Sequence, residues 1–165
     1  MNNSSYSKQI VVPILGMHRS GTSMFTRALN LLGLELGQPL MAPSPGNSRG
    51  YWENLFFVSC NLELLRSIGS NTDGFDFTSP LINIYQQRNQ IKVSVECQVK
   101  IKNYIRGTFH NCNWGWKDPR SVLLFRFWIQ LLRDLGYHDF RPAIIVRHPH
   151  SSVHSLIREG ELPLV

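Results

Sequence analysis

Two stretches of this chain carry side chains of the types that hold anions. The first is Gly16-Met17-His18-Arg19-Ser20-Gly21-Thr22-Ser23. Glycines let a backbone turn with its N–H groups facing inward. A helix starting at such a turn adds a positive partial charge. Arg19 contributes a cation, and Ser20, Thr22 and Ser23 contribute hydroxyls. A simple strand-to-helix turn with a hydroxyl cap accounts for Ser and Thr there. It does not account for His18 and Arg19. The second stretch is Arg147-His148-Pro149-His150-Ser151-Ser152-Val153-His154-Ser155, an arginine followed by hydroxyls. Its ordinary alternative is a salt bridge at a sheet edge. Between them, Gly115-Trp116-Lys117-Asp118-Pro119-Arg120 offers another lysine. Fixed cations at Arg19, Lys117 and Arg147 match an anionic partner with more than one charged group.

These residues need elements to position them. Residues 9–15 read as a short β-branched strand, with Pro13 a blemish tolerable near an edge or where no ladder donor is needed. A helix follows over 22–32, with Phe25, Ala28, Leu29 and Leu32 on one face, and Gly33 stops it. Pro and Gly make 37–50 a loop. A second helix runs over 53–68, with Leu55, Val58, Leu62 and Leu65 as its stripe, and 69–80 is loop again. Residues 91–101 alternate like a strand, yet 81–106 contain no Gly or Pro and are long enough for a helix. A strand at 113–117, a helix at 121–135 with Leu123, Phe127 and Leu131 as core, a buried strand at 142–146 and a helix at 151–159 complete the pattern. Ser151 or Ser152 caps that last helix. Strand and helix in alternation predict an α/β domain with a parallel sheet. In such sheets ligands sit at the carboxyl ends of strands, where Arg19, Lys117 and Arg147 all fall.

Composition narrows the classes. The chain has 165 residues, about one domain, and a net charge of 17 − 11 = +6. Apolar residues are 42% and charged residues 17%, which argues against intrinsic disorder. No apolar run reaches the roughly 18 residues of a membrane span. The start lacks a signal-peptide pattern, and residues 1–8 read as a disordered lead-in. Three cysteines without paired spacing suggest reduced thiols and a cytoplasmic location. Nucleic acid is a poor partner, because the basic residues gather at strand ends and no aromatic-basic repeat appears. A nucleotide P-loop would carry Lys where Thr22 stands, and a strand ending in Asp where Arg147 stands. Magnesium-dependent chemistry on a triphosphate would lose both parts.

The loop His18-Arg19-Ser20-Gly21-Thr22-Ser23 resembles the 5′-phosphosulfate loop of sulfotransferases. Arg147 followed eight residues later by Ser155 resembles their 3′-phosphate site. Trp116-Lys117-Asp118-Pro119-Arg120 and Gly50-Tyr51-Trp52-Glu53 resemble segments of bacterial members. The resemblance spans roughly residues 10–160. It implies a three-layer fold with a central parallel sheet, like that of P-loop nucleotide kinases, and a helix at 91–101. It also implies the donor 3′-phosphoadenylyl sulfate, with arginine and lysine serving in place of a metal ion. Arg19, Ser20, Gly21, Thr22 and Ser23 would hold the phosphosulfate, and Arg147 and Ser155 the 3′-phosphate. Lys117, with Arg19, would stabilise charge on the transferring group. The base would be Glu53, whose ordinary role is a favourable charge in a helix first turn. His18, His148, His150, His154 and Asp118 are other candidates, Asp118 otherwise orienting Lys117 or Arg120. The acceptor would be a small molecule or carbohydrate offering a hydroxyl or amine. Family members continue beyond the point matching Val165, so 9–165 is expected to be a single domain incomplete at its C-terminus. The alternatives are a P-loop nucleotide kinase or NTPase, and a truncated, non-catalytic nucleotide-binding fragment.

Overall fold

The structure, a computed structural model, describes residues 8–45, 47–70, 91 and 93–158. Nearly all of the expected lead-in at 1–8 and most of the loop at 69–80 lie outside the described residues, as does everything from 159 onward.

Strand β1 (Ile10–Gly16) is the centre of an open sheet. Strand β2 (Trp114–Lys117) pairs with it in parallel, in the register Val11↔Trp114 through Ile14↔Lys117. Along its other side run β3 (Asp139–Phe140) and then β4 (Ala143–Ile145), both parallel. Glu35 adds a parallel bridge to Trp114. Five helices are described: α1 (Thr22–Leu31), α2 (Leu55–Ser67), α3 (Val95–Thr108), α4 (Ser121–Asp134) and α5 (Pro149–Arg158). The result is a mixed α/β fold with a four-stranded parallel sheet.

Successive residues of a strand point to opposite faces, and β1 builds a core on each. Val11 joins the larger cluster, with Trp114 and Trp116 of β2, Phe57 and Leu64 of α2, Ile101 and Ile105 of α3 and Trp128 of α4. Ile14 joins a smaller one with Leu34 and Leu36, against which Phe25 and Leu29 of α1 pack. Gly115 allows β1 and β2 to meet: a Cβ there would stand 2.2 Å from the Val12 carbonyl oxygen.

Pro13 is not near an edge, because β1 is central. The Val11 carbonyl accepts from Arg141 N at 2.9 Å, so the backbone of Val11 faces the β3–β4 side. Pro13 faces the same way, two residues on. It lies opposite the interval where β3 has ended and β4 has not begun, so its missing donor costs the sheet no ladder bond.

The stretch 91–101 contains the start of a helix. Ser94 Oγ accepts from Cys97 N at 3.2 Å and opens α3. Its buried residues Cys97, Ile101 and Ile105 recur every four positions, while Val95 and Val99 are exposed. The alternation was therefore not a pleat. Other faces are rotated from their expected places. On α1, Ala28 and Leu32 are exposed and Thr22 and Thr26 are buried. On α2, Val58 and Leu65 are buried as expected, Leu55 is exposed, and Phe57, Cys60, Asn61 and Leu64 complete the inner face. On α4, Leu131 is buried as expected, together with Leu124 and Trp128, while Leu123 and Phe127 pack half-buried against the same cluster. The strand at 142–146 is not buried: Ile144 is 69% and Val146 85% exposed. The last helix starts at Pro149, so Ser151 and Ser152 lie inside it. The His148 carbonyl accepts from the backbone N–H groups of both serines, and proline suits the first helical position.

Candidate active site

The turn after β1 takes its shape from two left-handed residues, Arg19 (φ 60°) and Gly21 (φ 98°). Glycine adopts this conformation freely, whereas at arginine it is an outlier that surrounding contacts must hold. Two contacts at Arg19 are visible. Arg147 Nη1 donates to the Arg19 carbonyl at 2.8 Å, and Arg19 Nε donates to Ser155 Oγ at 3.0 Å. Ser20 N and Ser20 Oγ both donate to the Met17 carbonyl, closing the turn. Ser20's hydroxyl proton is thus committed within the loop. Gly16 sits at the base, where a Cβ would come within 3 Å of Ile145 O, Thr22 Cγ2 and Ser20 Oγ. Gly21 is the N-cap of α1 without any side-chain cap bond. The first N–H groups of a helix lack intrahelical partners, so they remain available to an anion.

Arg19, Arg147 and Ser155 therefore form one unit, although 128 residues separate the first two. Ser155 is buried on α5, and Arg147 is exposed at the exit of β4. Thr22 is buried with its side chain against Gly16. Ser23 is half-buried and accepts from Lys117 Nζ at 3.4 Å.

Lys117, at the end of β2, has a buried side chain and three acceptors: Ser23 Oγ, the Tyr51 carbonyl at 3.4 Å and Glu53 Oε1 in a short ion pair. Glu53 is not in the first turn of a helix. Asn54 is the N-cap of α2, its Oδ1 accepting from Phe56 N, and Glu53 precedes it with only 4% of its surface exposed. Two of the three residues expected to act in transfer, Lys117 and Glu53, are thus each other's partner. Trp52, left-handed at φ 59°, lies between the Tyr51 carbonyl and the Glu53 carboxylate that reach Lys117, and the Arg27 guanidinium covers its ring at 4.5 Å.

Glu53 also meets Arg120, Nη2 to Oε2 at 3.5 Å. Arg120 is buried and held by Asp118, which accepts from its backbone N at 3.0 Å and its Nε at 2.9 Å. Asp118 thus orients Arg120. Burial pushes the Glu53 carboxyl above its ordinary range, with Lys117 as the largest opposing influence and Asp118 adding to the rise. His18 is lowered to about 4, first by burial and then by the charges of Arg120, Lys117 and Arg19. Its imidazole is accordingly neutral near pH 7 and surrounded by cations. His148, His150 and His154 are exposed and close to one another, His150 and His154 with ring centroids 4.5 Å apart.

Arg120, Asn61 and Ser121 escaped the sequence reading as members of this site. Arg120 was visible as a neighbour of Lys117. Asn61 left one trace, a polar residue between Phe57 and Leu64. The arrangement can bind an anion on the β1–α1 turn, offer it Arg19 and Lys117, and present a carboxylate from the side of α2. Among the described residues, no helix is long and apolar enough to cross a membrane. No family model, curated protein or solved structure matches this chain.

Proposed function

We propose that the chain is a sulfotransferase of P-loop-like fold that takes a sulfuryl group from 3′-phosphoadenylyl sulfate. The observation that carries this reading is the junction of Arg19, Arg147 and Ser155. Two anion sites far apart in sequence adjoin one another, as a nucleotide with phosphates on both sides of its ribose requires. The 5′-phosphosulfate would lie on the turn, against the N–H groups of α1, Arg19, Thr22 and Ser23. The 3′-phosphate would lie on Arg147 and Ser155, displacing hydrogen bonds that these side chains now make within the protein.

Lys117 and Glu53 supply the transfer step. An arriving phosphosulfate competes with Glu53 for the Lys117 ammonium. The long contacts of Lys117 to Ser23 and Tyr51, both 3.4 Å, are the first to yield. Once Lys117 turns to the donor, Glu53 loses the strongest influence holding its carboxyl down, and burial makes it a better base. The acceptor hydroxyl or amine gives its proton to Glu53 and its lone pair attacks sulfur. The bond from sulfur to the 5′-phosphate oxygen breaks, and adenosine 3′,5′-bisphosphate leaves with the electron pair. Lys117 and Arg19 meet the charge that develops on that leaving oxygen.

The test is calorimetric binding of adenosine 3′,5′-bisphosphate against AMP. The native protein should prefer the bisphosphate. Arg147→Ala should remove that preference, about 10-fold or more for a lost charge-assisted contact. Equal loss for both ligands, or no loss for either, would remove the 3′-phosphate assignment.

A further inference from the structure

The ion pairs around Glu53 do not stand alone; they end a chain of hydrogen bonds that begins deep in the core. Asn61 on α2 is fully buried. Trp128 Nε1 donates to its Oδ1 at 2.8 Å. Its Nδ2 donates to Asp118 Oδ2 and to Ser121 Oγ, each at 2.9 Å. Ser121 Oγ also accepts from Trp116 Nε1 at 2.9 Å. An inverted amide would set its N–H groups against the Trp128 N–H, so the orientation of Asn61 is unambiguous. Both N–H bonds and the carbonyl of Asn61 are occupied.

We propose that Asn61 and Asp118 are positioning residues that aim the Arg120 guanidinium at Glu53 and thereby set when its carboxylate is free to act. Asp118 grips Arg120 along one edge, Nε to Oδ1 at 2.9 Å and to Oδ2 at 3.1 Å. That grip leaves Nη2 on the Glu53 side. Asn61 fixes the Asp118 carboxylate, and Trp128 fixes Asn61. Glu53 is thereby held at both oxygens, by Lys117 at one and Arg120 at the other. The two cations differ in kind. Lys117 has a flexible stem and exchangeable partners, whereas Arg120 is anchored through its own backbone N–H as well. When Lys117 leaves for the donor, Arg120 keeps the carboxylate in place. This role rests on the reading of Glu53 as the base; the aiming of Arg120 itself does not.

The test is a titration that needs no substrate. Carbon-13 spectra of glutamate-labelled protein follow the Glu53 carboxyl, identified by its loss in Glu53→Gln, and nitrogen-15 spectra follow His18. The charged groups acting on Glu53 are Lys117, Asp118 and Arg120; those acting on His18 are Arg120, Lys117 and Arg19. Arg120 alone of these is held by Asp118 hydrogen bonds, and its charge lowers both groups. In Asn61→Ala the grip loosens, and both midpoints should rise together, by about one unit. Trp128→Phe removes the donor to Asn61 Oδ1 and leaves Asn61, Asp118 and Arg120 intact, at the cost of a smaller ring in the core; it should move both midpoints the same way by less. If Asn61→Ala does not fold, Trp128→Phe decides. A lower melting temperature with unmoved midpoints means that Asn61 only packs, and overturns the proposal. Bisphosphate affinity of the native protein is scored separately: moved midpoints without that binding support the positioning of Arg120 and sink the donor assignment.

Discussion

Replacing Lys117 by methionine keeps the alkyl stem and removes the ammonium. The side chains of Lys117 and Glu53 are only 4% and 6% exposed, so water cannot take the place of the lost charge. Glu53 is then left with Arg120 at 3.5 Å, a cation whose Nε already serves Asp118. Removing one partner of a buried pair costs about 3–5 kcal/mol, mostly from the charge left behind. In a domain of this size that lowers the melting temperature by roughly 6–20 °C. Lys117→Met combined with Glu53→Gln removes both charges and should recover at least half of the loss. Thermal unfolding of the native protein, both single variants and the double variant isolates the coupling. The pH dependence identifies the stranded group. A carboxyl whose folded pKa is raised stabilises the fold below its unfolded value of 4.5, and that contribution is lost as pH rises through the folded value. Lys117→Met raises the folded value further. Its deficit against the native protein should therefore be smallest near pH 4.5 and grow at higher pH. A variant within about 1 kcal/mol of native at that higher pH would refute the buried pair. A large deficit indifferent to pH would refute Glu53 as the uncompensated group.

Three further perturbations test the turn, the sheet and α3. His18 takes its proton near pH 6.5 when unfolded but resists until about 4 when folded, so the fold loses stability as pH falls between those values, by about 2 kcal/mol at pH 5. His18→Gln should flatten that slope in melting temperature against pH, and an unchanged slope would assign it elsewhere. Gly115→Ala forces a methyl into the Val12 carbonyl at the centre of the sheet and should abolish soluble, folded protein. Gly107→Ala, on α3 with nothing within 4 Å, should fold normally and gain up to about 1 kcal/mol by chemical denaturation.

What the sequence made legible was whatever depends on local spacing. The turn 16–23 was readable because glycines, a cation and hydroxyls follow a strand within eight residues, and Arg147 and Ser155 stand a fixed distance apart on consecutive elements. Burial was read less well. A β-branched run such as 142–146 reports strand preference and is silent about what covers the strand, so Ile144 was expected inside and is outside. Alternation at 91–101 was a weaker guide than four-residue recurrence, because only the recurrence matches the face that α3 buries. The interior of the site was the hardest part. Asp118 and Arg120 belong to a recognisable segment, and the orienting role of Asp118 was one of its expected alternatives, but Asn61 carries no motif; its role comes from the packing of α2 against α4, which brings Trp128 and Ser121 to the amide. Glu53 was expected at a helix terminus, where a carboxylate needs no partner. Asn54 caps α2 instead, and this frees Glu53 to point inward.

The contacts that tie the first turn to Arg147 and to Ser155 of α5 span 128 and 136 residues of chain. During synthesis, the turn after β1 leaves the ribosome long before Arg147 and Ser155 exist to hold Arg19 in its left-handed conformation. Closing so wide a loop comes late in folding. Until those residues emerge, the nascent chain carries the turn without the two contacts that hold Arg19.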